Sequence, residues 1–289
     1  MFEQRSWRPR NLQEALRDKV PLETLAELPK SFDMVGDIAI LEFTPFLVPF
    51  ENTVAQAILQ TNSNVKAVYA KTGPIVGPER IRPLRHIAGE VRTTTVHKEY
   101  GCFFKVDLSR AFFSPRLSTE HQRIAQQVAE GERVVDMFAG VGPFSIMIAK
   151  RVKNVVVDAI DSNPAAAELI RENARINKVG SKVNVHSGDA REVVRQLGRD
   201  ATRIIMNHPS ASRDFVAVAC DALVSLGGAL HYYTFAEGAD PETRARRELE
   251  DALSETESLI REIRAVRKVR EVAPMNWQIV IDAEISRKK

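Results

Sequence analysis

From about residue 130 onward, short β-branched runs and amphipathic stretches alternate regularly. Strands fit 133–137, 154–160, 182–186, 203–207 and 228–234, and the apolar spacing fits helices over 143–150, 164–177, 190–197 and 212–225. Helices of this length between short strands predict a parallel sheet joined by right-handed crossovers. The end departs from the pattern. A charged helix over 241–260 leads to two β-rich runs, Ile263–Val272 and Trp277–Ile285, joined by the turn Ala273-Pro274-Met275-Asn276. That hairpin places one strand antiparallel to the rest. The first part of the chain reads differently, as a smaller α+β domain. A helical region spans 11–28 with a second start at Pro21-Leu22-Glu23-Thr24, and a helix fits 50–61. Strands fit Asp37–Phe43, 65–70, 91–97 and 102–107. Ser114-Pro115-Arg116-Leu117-Ser118 reads as the exit, with Ser118 or Thr119 capping the helix that carries Glu120, so the domains are 1–118 and 119–289.

A length of 289 residues suits two domains, and 44% hydrophobic with 27% charged residues is ordinary for a globular protein. The net charge of +3 is too small to argue for nucleic acid from the total, so any such argument must rest on local clusters. Cys102 and Cys220 are too few for a disulfide framework or a zinc site, which suits a reducing cytoplasm, and no metal site is expected. The opening Met1-Phe2-Glu3-Gln4-Arg5-Ser6-Trp7-Arg8 lacks the apolar core of a signal peptide, and no apolar run is of membrane-spanning length.

Candidate chemistry gathers in four loops, each at the end of an expected strand. The first runs from Asp136 through Phe138, Gly140 and Gly142 into an apolar helix, so bare backbone N–H groups and a carboxylate meet at the carboxyl edge of the sheet. The second ends in Asp161, about 25 residues on, the offset at which an acid meets ribose hydroxyls in doubly wound folds. Asn163 is placed to cap the helix begun by Pro164. The third carries Asp189, whose carboxylate suits an adenine amino group. Asp136 and Asp189, each taken alone, also read as a loop acid or an N-cap. The fourth is Asn207-His208-Pro209. A nicotinamide-type site is the rival reading of the glycine turn, but Ser145 stands where its third glycine belongs. The four loops in this order, with the antiparallel terminal hairpin, resemble a class I (Rossmann-like) methyltransferase sheet of seven strands and point to S-adenosyl-L-methionine.

A strand-end Asn with Pro two residues on resembles the loop of enzymes that methylate nucleobase nitrogens, where carbonyls and the amide hold a planar N–H group. More specific strings follow: Ser31-Phe32-Asp33-Met34-Val35-Gly36-Asp37-Ile38-Ala39-Ile40-Leu41, His86-Ile87-Ala88-Gly89-Glu90, His97-Lys98-Glu99-Tyr100-Gly101-Cys102, Phe112-Phe113-Ser114-Pro115-Arg116, the run Val135–Phe144, and His231-Tyr232-Tyr233. Together they resemble the archaeal and eukaryotic tRNA (guanine-37-N1)-methyltransferase family from about residue 31 to the C-terminus.

The resemblance implies methyl transfer from S-adenosylmethionine to N1 of the guanine 3′ of the anticodon, by an enzyme expected to be monomeric. It implies Glu120 as general base and Arg80, or second Arg82, as the cation facing guanine O6, with Asn207 and Pro209 at the transfer loop. It implies cofactor contacts from Asp136, Phe138, Gly140, Gly142, Asp161, Asn163, Asp189 and Asn207. Two departures stand out. His208 replaces the family's usual Leu, and reads either as a plain loop residue or as a contact to the target base. The additional small N-terminal domain of many members is expected to be missing.

Between residues 79 and 118, Arg80, Arg82, Arg85, Arg92, Lys98, Lys105, Arg110 and Arg116 outnumber Glu79, Glu90, Glu99 and Asp107. The cluster fits phosphate contacts to a tRNA anticodon arm, with Arg82, Arg85 and Arg116 as candidates, or else a solvated charged face. Tyr100, Phe112 and Phe113 are candidates for stacking on a flipped base, or for the core. Within the fold the rival is a wybutosine-pathway aminocarboxypropyl transferase, which the Asn-x-Pro loop disfavours, or a bifunctional methylase acting also on a tricyclic wyosine intermediate. From another class the rival is a non-catalytic RNA-binding protein with a methyltransferase core.

Overall fold

The computed structural model describes residues 9–29, 31–75, 77 and 80–288, so the N-terminal octapeptide and Glu79 of the basic cluster lie outside the described residues. Chain contacts divide it into two units. One runs to Lys98 and resumes over Lys105–Pro115; the other takes Glu99–Phe104 and everything from Arg116 on.

In the first unit, helices α1 (Leu12–Leu16) and α2 (Leu22–Ala26) precede strands β1 (Asp33–Val35) and β2 (Ile38–Leu41). Helix α3 (Glu51–Thr61) then returns the chain to β3 (Ala67–Lys71), parallel to β2, and β4 (Leu84–Gly89) closes the sheet in the order β1-β2-β3-β4. The helix buries Val54, Ala55, Ala57 and Ile58 in one cluster with Ala39, Leu41 and Val68 of the sheet. Each large apolar side chain so buried contributes about 1.5–3 kcal/mol. Strand β4 has no counterpart in the sequence expectation, whose strand over 91–97 overlaps the later Thr94–Glu99 instead. Pro83 and the polar Arg85 and His86 mask its alternation. Gly89 then ends it at φ +84°, where a Cβ would lie 2.2 Å from the Lys66 carbonyl oxygen. The next strand, β5 (Thr94–Glu99), forms a hairpin with β6 (Cys102–Asp107).

The hairpin's tip belongs to the second unit. There the Asn177 side chain accepts from the Phe103 N–H at 2.9 Å and donates to its carbonyl at 2.6 Å. Also there, the buried Glu99 carboxylate meets His121 Nδ1 at 2.8 Å.

The second unit opens with α4 (Ser118–Gln127), whose N-cap is Leu117 with no side-chain cap bond; Ser118 and Thr119 lie inside the helix rather than capping it. The alternation then follows as expected: β7 (Arg133–Asp136), α5 (Pro143–Arg151), β8 (Val156–Asp161), α6 (Pro164–Ile176), β9 (Val183–Ser187), α7 (Ala190–Leu197), β10 (Arg203–Met206), α8 (Val216–Ala222) and β11 (Gly228–Glu237). Helix α9 (Pro241–Ser254) is shorter than its charge pattern suggests, because Ser258-Leu259-Ile260 is drawn into β12 (Ser258–Ala273) by pairing with β13 (Asn276–Arg287). Tertiary pairing overrides local helical preference there. The seven strands lie in the order β12-β13-β11-β10-β7-β8-β9, with β13 antiparallel to both neighbours. This is the α/β sheet with a terminal antiparallel hairpin that the sequence predicts.

Candidate active site at the carboxyl rim of the sheet

The glycine turn after β7 is built around two carboxylates. Asp136, at the strand's end, is fully buried. Its Oδ2 accepts from the Ser145 hydroxyl at 2.7 Å, while its Oδ1 has no hydrogen-bond partner among the described residues. Burial, with the negative Asp161 nearby, pushes its carboxyl up to about 7 against the bond from Ser145. Ser145, the residue that breaks the dinucleotide pattern, therefore ties the first turn of α5 to the strand. Gly142 caps α5 at φ +87°, a conformation that favours glycine.

Asp161, at the end of β8, accepts from the Gly140 N–H at 2.7 Å through one oxygen and from the Asn163 N–H at 2.9 Å through the other. Two expected loop residues are thus linked by a third. The Asn163 side chain caps α6 by accepting from Ala165 N at 2.9 Å, as the sequence predicts. Asp189 caps α7 and pairs with Arg191 at 2.6 Å, the N-cap alternative that its sequence left open. The Phe138 ring packs edge-on against His208, at 5.2 Å between centroids, and against Phe215, at 4.9 Å.

The Asn207-His208-Pro209 loop follows β10 directly. Two of its acceptors, the His208 carbonyl and the Asn207 side-chain oxygen, already take hydrogen bonds inside the protein. The His208 carbonyl accepts from the N–H groups of Ala211 and Ser212 at 2.8 and 2.9 Å, and the Ser212 hydroxyl donates to it at 3.0 Å and to the Met206 carbonyl at 2.9 Å. Asn207 Oδ1 accepts from Gln278 Nε2 at 3.0 Å.

Glu120 lies in the first turn of α4 with 6% of its surface exposed. The Tyr233 hydroxyl donates to its Oε1 at 2.6 Å, and Arg123 donates to Oε1 at 2.6 Å and to Oε2 at 2.9 Å. Tyr232 pairs with Met206, so Tyr233 stands level with Asn207 at the rim. The Phe144 ring, just past the glycine turn, lies 6.0 Å from the Tyr233 ring and 4.7 Å from His121. These contacts put the acid, the transfer loop and the glycine turn at one end of the sheet. Burial and then the Glu120 charge hold the Tyr233 hydroxyl well above 10, so it acts there only as a donor.

Behind Glu120 runs a buried charge network that the sequence reading missed. Arg123 also bonds Asp282, Asp282 Oδ1 lies 2.7 Å from His231 Nδ1, and His231 Nε2 lies 2.7 Å from Arg203, which closes on Glu132 at 2.6 Å. Only the Glu120–Arg123 spacing of three hints at it in the sequence. The pairing of His231 with Asp282 depends on the register of β11 and β13.

The basic candidates fall in different units. Arg116, exposed, follows the unit boundary. In the first unit the Arg80 guanidinium lies 4.7 Å from the centre of the Phe112 ring, at φ +55°, while Arg82 donates to the Gly73 carbonyl at 3.0 Å. Arg85 forms a two-pronged pair with Glu51 at 2.7 Å, and Arg92 pairs with Asp37 and Glu90 at 2.6 and 2.7 Å. Part of the basic cluster is thus neutralised within its own unit. Among the described residues no helix is long and apolar enough to cross a membrane.

Residues 95–260, more than half of the chain, match the family described as the TRM5/TYW2 methyltransferase domain, and residues 12–93 match the TYW2 N-terminal domain. The second match corrects the expectation of a missing N-terminal domain. The chain is 40% identical over 287 residues, 99% of its own length and 83% of the relative's, to the tRNA (guanine(37)-N(1))-methyltransferase Trm5b of Pyrococcus abyssi. The structure of aTrm5 in complex with tRNALeu superposes with a TM-score of 0.81 at 32% identity, covering 96% of this chain and 79% of that one. That of Methanocaldococcus jannaschii Trm5 in complex with adenosine gives 0.76 at 34%, covering 94% and 79%. Sheet order, glycine turn and sequence agree, and the chain belongs to the TRM5/TYW2 methyltransferase family.

Proposed function

We propose that this chain is a tRNA (guanine-37-N1)-methyltransferase that uses S-adenosylmethionine on cytoplasmic tRNA, acting as a monomer. The observation that carries the reading is the buried Glu120 carboxylate, clamped by Tyr233 and Arg123 beside the glycine turn. It occurs in a chain alike over nearly its whole length to an enzyme of that name.

The rim suits an adenosyl sulfonium compound. Asp161, held at the rim by two backbone N–H groups, is assigned to the ribose hydroxyls, and Phe138 gives the turn an apolar wall. When bound, that compound supplies an electrophilic methyl carbon. Asp189 is assigned to the adenine side and Asn163 to shaping the loop.

Guanine N1–H is a weak acid, so a fixed base is needed as the methyl arrives. Glu120 Oε2 accepts one internal bond where Oε1 accepts two, which leaves Oε2 the better placed to take the N1 proton. Charge then grows on guanine O6. Arg80 is assigned to it, with Arg82 as the second candidate. Arg85 and Arg116 are assigned to tRNA phosphates, and His208 to the edge of the target pocket with Phe138.

The test is mass spectrometry of tRNA nucleosides after incubation with labelled S-adenosylmethionine. The expected product is 1-methylguanosine; an aminocarboxypropyl adduct, or no product, overturns the reading.

A further inference from the structure

Asn207 is linked to the outer strand of the sheet by two hydrogen bonds whose direction is fixed from one end. Arg270, on the edge strand β12, stands opposite Gln278 of β13. Its Nε donates to Gln278 Oε1 at 2.9 Å. A guanidinium has no acceptor, so the atom that it meets on Gln278 must be the carbonyl oxygen. Gln278 is 1% exposed, and its remaining amide group, Nε2, faces Asn207 at 3.0 Å. An N–H group facing Asn207 in turn requires Oδ1 on that side. The only orientation left to the Asn207 amide turns Nδ2 away from Gln278. That nitrogen has no protein partner among the described residues, and Asn207 is partly exposed at the rim.

The rest of the loop agrees with this polarity. The Met206 and His208 carbonyls already accept from Ser212 and Ala211. What the Asn207 side chain presents at the transfer site is a pair of N–H donors rather than its amide oxygen.

We propose that Arg270 and Gln278 are positioning residues that lock the Asn207 amide as a donor, so that the transfer loop selects a base with an acceptor at position 6. This rests on the function proposed above. Guanine offers O6 there, whereas adenine offers an amino group that would meet the Asn207 N–H groups head-on. A donor aimed at O6 also strengthens as the N1 proton leaves and charge moves onto that oxygen. Two residues that never touch the base thereby set which purine edge is accepted.

The test reverses the direction of the chain without removing it. In Q278E the new carboxylate still pairs with Arg270 but can only accept, so Asn207 must turn its Nδ2 inward and its Oδ1 toward the base. The kcat for 1-methylguanosine formation on saturating tRNA should fall by about 10- to 100-fold, the cost of an unmade and opposed hydrogen bond. S-adenosylmethionine binding, read by calorimetry, should stay within about threefold. Because Gln278 is buried, a second pair of variants is made at the edge strand. R270E, which can only accept, should lower kcat by about 10-fold or more with little change in KM; R270K, which keeps a donor, should restore most of that loss. Wild-type-like kcat in R270E, or equal losses in R270E and R270K, overturns the proposal. Absence of 1-methylguanosine from the unaltered protein overturns the parent function instead, so the two failures are distinct.

Discussion

His231 Nδ1 donates to Asp282 Oδ1 at 2.7 Å across the antiparallel strands β11 and β13, and the direction of that bond is imposed by Arg203. Arg203 lies 2.7 Å from His231 Nε2 and can only donate, so Nε2 is bare and the ring neutral. Burial, together with the nearby arginines, holds the His231 pKa below its ordinary value despite Asp282. Although burial pushes the Asp282 carboxyl up, bonds from His231 and Arg123 win and hold it well below the usual carboxylate range.

Asp282→Asn removes the anion from a buried network and leaves Arg123 facing Glu120 alone. A cost of about 3–5 kcal/mol is expected, as for breaking one partner out of a buried ion pair. Urea unfolding at pH 7 reads it. The deficit should shrink below about pH 4, where the unfolded carboxyl protonates and the native one follows at lower pH.

Glu120→Gln retains an acceptor for Tyr233 but has no charge to take a proton. Single-turnover methylation should slow by about 10²–10⁴-fold. S-adenosylmethionine affinity should stay unchanged; a rate near wild type would remove Glu120 as the base.

Arg80→Ala should lower the rate by about 10²–10³-fold, with tRNA affinity falling less. A loss confined to Kd for tRNA would reassign Arg80 to phosphate binding.

Asp136→Asn tests the buried acid through the pH dependence of stability. The native pKa of about 7 lies above the unfolded value, so the folded state holds more protons between roughly pH 4 and 7 and wild-type stability falls as pH rises through that window. The contribution of His231 has the opposite sign, because its native pKa is lowered, and it cancels in the difference between the two proteins. Stability of the wild type minus that of D136N should drop with a slope of up to about 1.4 kcal/mol per pH unit. A flat difference would mean that the carboxyl is charged throughout.

Gly142→Ala forces a Cβ to within 3.3 Å of Ile170 and 3.4 Å of Ile146 at φ +87°. A left-handed residue costs roughly 1–2 kcal/mol. Calorimetry should show weaker S-adenosylmethionine binding and a lower Tm.

Much of the second unit was readable because its signals are local. The sequence signals for each strand, helix start and turn from Asp136 to Pro164 lie within a few positions of one another. The glycine turn and the Asn163 cap therefore appear as expected. What escaped depends on register. His231 and Asp282 are 51 residues apart, and Asn207 and Gln278 are 71 apart, so neither pairing leaves a trace in spacing. Strand β4 escaped because Arg85 and His86 interrupt its apolar alternation, and α9 was read too long because charged residues continue past its end at Ser254.

The hairpin tip that lodges with the second unit has a consequence for dissecting the protein. A fragment cut at Arg116 would strand Asn177 without the Phe103 backbone and His121 without Glu99. Excising the catalytic half as a stable piece thus requires grafting Glu99–Phe104 back onto it, since that half is built from two separated stretches of sequence.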